Sequence, residues 1–129
     1  MAEELRYIVL TNEEFMAALK VYRNENQGYL PRGKFVGWSV DADSHLHVLV
    51  EMKTTAHATA LSFKLDSIDV AQILIGFCIA HKIPVPRLGK KDWHIHEQKM
   101  SLRIRFNQEE LLSERYDEYD LPTEFTSVG

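Results

Sequence analysis

The chain has 129 residues, 45% apolar and 26% charged, with a formal net charge of −4. That is ordinary composition for one globular domain, large enough to bury a core without metals or disulfides. A single cysteine, Cys78, excludes an intramolecular disulfide and fits a reducing compartment.

The opening residues, Met1 to Arg6, are acidic and lack the apolar core of a secretory signal. Arg6-Tyr7-Ile8-Val9-Leu10 is a β-branched and aromatic run of strand length. Thr11 to Glu14 spells a capping box, T-x-x-E, in which hydroxyl and carboxylate each satisfy a free helix-terminal amide. Phe15, Ala18, Leu19 and Tyr22 follow at helical spacing, so a helix is predicted over 12–25. The polar stretch Asn24 to Gly33, with Gly28 and Pro31, has loop chemistry. Phe35 to Ala42 and Leu46 to Met52 then flank Asp41-Ala42-Asp43-Ser44-His45, a predicted hairpin.

The second half repeats this order. Ala60 to Leu65 reads as a strand, Asp66 or Ser67 as a helix cap, and Val70 to Ile83 as the most apolar helix. That run contains Gln72, His81 and Lys82 and is too short to span a bilayer. The helix should stop before Pro84. A Pro-rich loop, Pro84 to Gly89, leads to a second hairpin of Asp92 to Glu97 and Met100 to Phe106, turning near Gln98-Lys99. The expectation is a soluble, cytoplasmic protein.

Trp38 and Trp93 lie 55 residues apart (93 − 38), and the same offset relates Leu10 to Leu65, Leu19 to Leu74, Pro31 to Pro86 and Arg32 to Arg87. The predicted fold is therefore α+β with duplicated β-α-β-β units, about 5–52 and 60–106. An antiparallel or mixed sheet of about six strands carries two helices on one face, around a pseudo-twofold axis. Alternation turns Ile8, Leu10, Trp38, Val40, Leu46, Val48, Val50, Phe63, Leu65, Trp93, Ile95, Met100, Leu102, Ile104 and Phe106 toward the helices. It leaves Tyr7 and Phe35 as the outward aromatics. Residues 1–106 form one domain and 107–129 an acidic tail. The tail holds seven acids and one base, a charge of −6, which leaves the body at +2 out of the total of −4.

Three constellations carry candidate chemistry. His45 with His47, and His94 with His96, are H-x-H pairs; on a strand, each pair shares a face and can grip one metal ion, or titrate together near pH ~6. The blander reading is four exposed histidines on solvated strands. Lys64, Arg103 and Arg105 should share the outward face with those histidines and offer a basic surface to an acidic partner. A nucleic-acid role would need interleaved aromatics, and the RRM signature is absent. Arg32, Arg87, Lys90 and Lys91 stand in two matching loops and could hold an anion, although no P-loop is spelled. No G-x-S-x-G, H-E-x-x-H or G-x-G-x-x-G appears, and Cys78 sits among Ile75, Phe77 and Ile79 as a buried thiol would. Asp92, His94 and His96 can be drawn as an acid–base set.

Gln108 to Tyr116 has the pattern of a short amphipathic helix, and the run beyond it mixes acids with Tyr119, Leu121 and Phe125, as docking peptides do. The natural receptor would be the basic sheet face, with the tail shielding Lys64, Arg103 and Arg105. The run Phe77-Cys78-Ile79-Ala80-His81-Lys82-Ile83-Pro84-Val85-Pro86, with Arg6-Tyr7-Ile8-Val9-Leu10-Thr11-Asn12, resembles a family of small uncharacterised bacterial proteins over about 5–106. The resemblance implies a bacterial cytosolic origin and no activity. The reading is a non-enzymatic macromolecule-binding module, adaptor or regulatory, acting through its open sheet face or its tail. No cofactor is implied. A protein partner is expected, nucleic acid and a small enzyme or metal-binding protein are the alternatives, no membrane contact is expected, and monomer and homodimer both stay open.

Overall fold

The computed structural model describes residues 2–26, 30–41, 47–54, 59–113 and 119–120. Its elements are β1 (Glu4–Val9), α1 (Asn12–Glu25), β2 (Lys34–Val40), β3 (Val48–Lys53), β4 (Leu61–Leu65), α2 (Ser67–Ala80), β5 (Val85–Pro86), β6 (Lys90–His96), β7 (Lys99–Phe106), α3 (Gln108–Leu111) and β8 (Tyr119–Asp120). The α+β class holds, and the predicted helices and main strands are present to within a few residues.

The single sheet of about six strands does not form. Among the described residues there are two antiparallel three-stranded sheets, β1-β7-β6 and β2-β3-β4, and a two-stranded ladder of β5 with β8. The central strands β7 and β3 each already have two neighbours, so the sheets could merge only edge to edge. Edge strand β2 carries a bulge between Phe35 and Gly37, which adds twist and breaks the regular edge. The bulge also corrects a facing. Val36 is the extra residue, so Phe35 registers with Met52 and turns inward, 8% exposed, and Val36 is the exposed one.

Each sheet combines a hairpin from one half with the first strand of the other. β1 pairs with β7 through Arg6 opposite Ile104 and Ile8 opposite Leu102, while β4 pairs with β3 through Phe63 opposite Val50. The inner faces bury Leu10, Val50, Leu65, Leu102, Ile104 and Phe106 together with Phe15, Leu19 and Leu74 from the helices. Leu46 and the loop 42–45 lie outside the described residues.

The helices are built as their sequences dictate. The Thr11 hydroxyl accepts from the Glu14 amide at 3.1 Å and the Glu14 carboxylate from the Thr11 amide at 2.8 Å, a complete capping box. The Thr11 backbone and side-chain hydrogen bonds hold the Glu14 carboxyl below its usual range. Asp66 caps α2 by accepting from the Asp69 amide at 2.9 Å. At its end, the Lys82 amide donates to the Ile79 carbonyl and the Ile83 amide to the Cys78 carbonyl, with Lys82 left-handed at φ 58°. That is a Schellman motif with Lys where Gly is usual.

The tryptophans act as anchors between layers. Phe15 meets the Trp38 ring edge-on at 5.3 Å, and Trp93 Nε1 donates to the Ser67 hydroxyl at 3.1 Å. Tyr22 donates its hydroxyl to Asp69 at 3.2 Å and so ties α1 to α2.

The β6–β7 hairpin turns on Glu97 and Gln98, both left-handed at φ 50° and 65°. This is the conformation of a type I′ turn, which favours Asn-Gly and costs other residues roughly 1 kcal/mol each. Converting Glu97→Asn with Gln98→Gly should raise unfolding free energy by about 1 kcal/mol in a urea titration. Gly89, at φ 98°, leaves room for a Cβ only 2.9 Å from Ile104 Cγ2. Gly89→Ala should destabilise by more than about 1 kcal/mol, read the same way.

Candidate interaction face

The outer face of the first sheet is set by strand alternation. From β1 it takes Leu5, Tyr7 and Val9; from β7, Ser101, Arg103 and Arg105; from β6, Lys90, Asp92, His94 and His96. Leu5, Tyr7 and Val9 are 46%, 37% and 40% exposed, all on one face of one edge strand. Tyr7 lies tilted against both histidines, with ring centroids 5.4 Å from His94 and 5.2 Å from His96. Ser101 is fully buried between Val9 and His94 in register and donates its hydroxyl to the His94 carbonyl at 2.7 Å. The face is thus an apolar edge beside a Tyr–His cluster.

The arginines of this face are already engaged. Arg103 donates Nε and Nη2 to the two carboxylate oxygens of Asp92 at 2.9 and 2.7 Å. The Asp92 hydrogen bond raises the Arg103 pKa, with Tyr7 a further contributor. Arg105 pairs with Glu3 at 3.7 Å. Lys64 lies on the second sheet, where it pairs with Asp41 at 3.5 Å. The expected grouping of Lys64 with Arg103 and Arg105 on one face depended on the single sheet and is lost with it.

The histidine pairs separate in the same way. His94 and His96 project from β6 toward Tyr7, whereas His47 precedes β3 in the other sheet. His45 lies outside the described residues. Among the described residues, no group of three or more His, Cys, Asp or Glu is placed to hold a metal ion. Asp92 gives both its oxygens to Arg103, so the drawn set of Asp92, His94 and His96 is organised as an ion pair beside a ring cluster. Burial pushes the Cys78 thiol up to about 11, which keeps it protonated and inert.

The basic loop before β6 meets the chain's own groups. The Lys91 ammonium donates to the carbonyls of Arg87, Leu88 and Gly89 at 3.2, 3.4 and 3.3 Å. The Gly89 amide donates to Glu110 of α3 at 2.6 Å, so the carboxylate at this loop comes from the tail. Lys90 stands opposite Arg105 on the sheet, and Arg32 is exposed in the loop before β2. The tail returns further on: Tyr119 pairs with Pro86 and Asp120 with Val85 through the backbone, a different receptor from Lys64, Arg103 and Arg105. Leu121 and Phe125 lie outside the described residues.

Two open clefts flank the sheet edges. One of about 610 Å³ lies between α1 and β2, lined by Met16, Lys20, Val36, Trp38 and Gln98. Another of about 480 Å³ lies beside β6, lined by Ser67, Asp92, Trp93, His94 and Arg103. Among the described residues, no helix is long and apolar enough to cross a membrane.

Sequence reasoning singled out Tyr7, His94, His96, Arg103 and Arg105 and missed Leu5 and Val9. The signal was present: Leu5 to Leu10 is apolar at every position but Arg6, more than a half-buried strand needs. No family model, curated protein or solved structure matches this chain, so the bacterial-family resemblance gains no support from them.

A double-mutant cycle on Asp92→Ala and Arg103→Ala, read by urea unfolding, should give a coupling of about 1 kcal/mol, the upper end for partly exposed pairs, because the contact is bidentate.

Proposed function

We propose that this chain is a non-enzymatic protein-binding module, adaptor or regulatory in role, whose contact surface is the outer face of the first sheet. The observation that carries the reading is the exposure of Leu5, Tyr7 and Val9 side by side on edge strand β1. Isolated exposed apolar residues are normal, but a contiguous row on a sheet edge with polar neighbours is the pattern of a contact site. Tyr7 between His94 and His96 supplies the aromatic anchor such surfaces favour. The ion pairing of Arg103 and Arg105 argues against nucleic acid as the partner, since phosphate binding needs cations that neutralise the backbone. The acidic tail, with Tyr119, Leu121 and Phe125, is the second element of the reading, as a segment that docks on a partner.

The halves also read as copies. The rows Trp93-Leu102-Ile8 and Trp38-Val50-Phe63 align in register, and Trp93 and Phe63 follow Trp38 and Ile8 by the same 55 positions. On this reading the fold came from one β-α-β-β unit, and binding arose where the copies diverged.

The test is affinity capture from cells that express the protein, comparing wild type with Leu5→Lys/Val9→Lys. Both changes point outward, so the circular dichroism spectrum should not change. A protein retained by wild type, lost by the variant and unaffected by nuclease is the expected result. Equal recovery by both chains, or release by nuclease, overturns the reading.

A further inference from the structure

We propose that two copies of this chain pair antiparallel through the open edge of β1, with Tyr7 on the two-fold axis, so that the first sheet runs unbroken across both copies. This rests on the reading that the outer face of the first sheet is the contact surface, and it names the partner as a second copy.

The backbone of β1 is directed for it. The Leu10 amide donates to the Met100 carbonyl of β7 at 2.8 Å. In an antiparallel strand the N–H and C=O of one residue point the same way, and the direction alternates along the chain. Glu4, Arg6 and Ile8 therefore face β7, and Leu5, Tyr7 and Val9 present their N–H and C=O groups to the open side. No described strand pairs there. The same three residues carry the exposed side chains, so hydrogen-bonding groups and apolar surface coincide.

The other sheet edges carry an outward lysine or a bulge, whereas the charged residues of β1, Glu4 and Arg6, turn to the inner side and pair with each other. β4, which holds the matching edge of the second sheet, turns Ser62 and Lys64 outward. β2 has its bulge, and β6 opens with Lys90 and Lys91. β1 has no proline, no bulge and no outward lysine, and its register with β7 is unbroken from Glu4 to Val9.

Charge and pattern choose the register and the occupant. With Tyr7 on the axis, Leu5 lies opposite the second copy's Val9, and each outward amide meets an outward carbonyl. The apolar row becomes continuous. Placing Arg6 on the axis would set two guanidinium groups opposite one another, which is unfavourable. Placing Ile8 there would run Leu5 onto Thr11, already the cap of α1. The nearby cations Arg6, Arg103 and Arg105 are paired with Glu4, Asp92 and Glu3, so an acidic partner finds them taken. A neutral, self-complementary copy does not, and self-complementarity is what a two-fold interface requires.

Sedimentation of the full chain across a concentration series should show a species of twice the 15.0 kDa chain mass. Tyr7→Arg, which puts like charges on the axis, should return it to the chain mass with an unchanged circular dichroism spectrum. Amides of Leu5, Tyr7 and Val9 should exchange slowly in the dimer and rapidly on dilution. A 15.0 kDa species at every concentration overturns the proposal, as does a dimer that survives Tyr7→Arg. Slow exchange of those amides in the monomer also overturns it, because the chain would then be covering its own edge. Capture of a different protein by a monomeric wild type, lost in Leu5→Lys/Val9→Lys, would leave the binding reading standing while self-pairing fails.

Discussion

The pairing of β1 with β7 is the contact on which the rest of the molecule depends. It joins Ile8 near the start of the described chain to Leu102 of β7, and it gives β7 its second neighbour. With β1 on one side and β6 on the other, β7 buries Met100, Leu102, Ile104 and Phe106 completely or nearly so. These residues form the inner wall against which the helices pack. Without β1, the first sheet would be a lone hairpin, which is marginal in water. The same dependence runs the other way in the second sheet, where β4 completes the β2–β3 hairpin. Neither half can close its sheet alone, so the halves fold together. The loop-closure entropy of such distant pairing must be met by burial rather than by local propensity.

That constraint decides where polar groups can go. The inner side of the first sheet takes few polar groups, and each is partnered: Arg6 lies over the Phe106 ring and pairs with Glu4, and the Ser67 hydroxyl accepts from Trp93. The outer faces take the charges, and they take them in matched pairs: Arg103 with Asp92, Arg105 with Glu3, Lys64 with Asp41. Partly exposed pairs of this kind contribute little to stability, about 0–1 kcal/mol. Their larger effect is to leave a face with little net field, on which shape and apolar area matter more than charge.

Much of this was legible. The capping box at Thr11, the helix from Asn12 and the stop before Pro84 follow from local chemistry, and the structure places them as the residues indicate. The inward list survives, apart from Val40, which is not packed in the core, and Leu46, which lies outside the described residues, because period-two alternation survives. The failures are non-local. Phe35 turns inward because one extra residue, Val36, shifts the phase of β2, and nothing in the composition of that strand announces a bulge. The single sheet failed because element order does not say which strand pairs with which. With the sheet divided, Lys64 and His47 moved to a different surface from Arg103 and His94. Site residues named from a face are only as good as the sheet that defines the face. The tail's contacts were invisible for a related reason. Glu110 meets the Gly89 amide, and Tyr119 meets Pro86, through backbone groups that carry no sequence signature.

β1 and β4 hold equivalent places in the two sheets. Both are first strands of their halves, both sit at the outer edge of a three-stranded sheet, and both turn apolar side chains to the core, Phe63 and Leu65 from β4 and Ile8 from β1. Folding alone asks no more than this, and β4 stops there, with Ser62 and Lys64 to water. β1 adds Leu5, Tyr7 and Val9 on the other side, where burial within the described chain does not reach them. Exposed apolar area of this kind forgoes roughly 25 cal/mol per Å² that burial would return. The outward row on β1 is thus unexplained by the fold of the described residues, and the proposed contact surface would account for it. The hydrogen-bonding groups of the same three residues face the same way, so the covering surface that satisfies both is another strand.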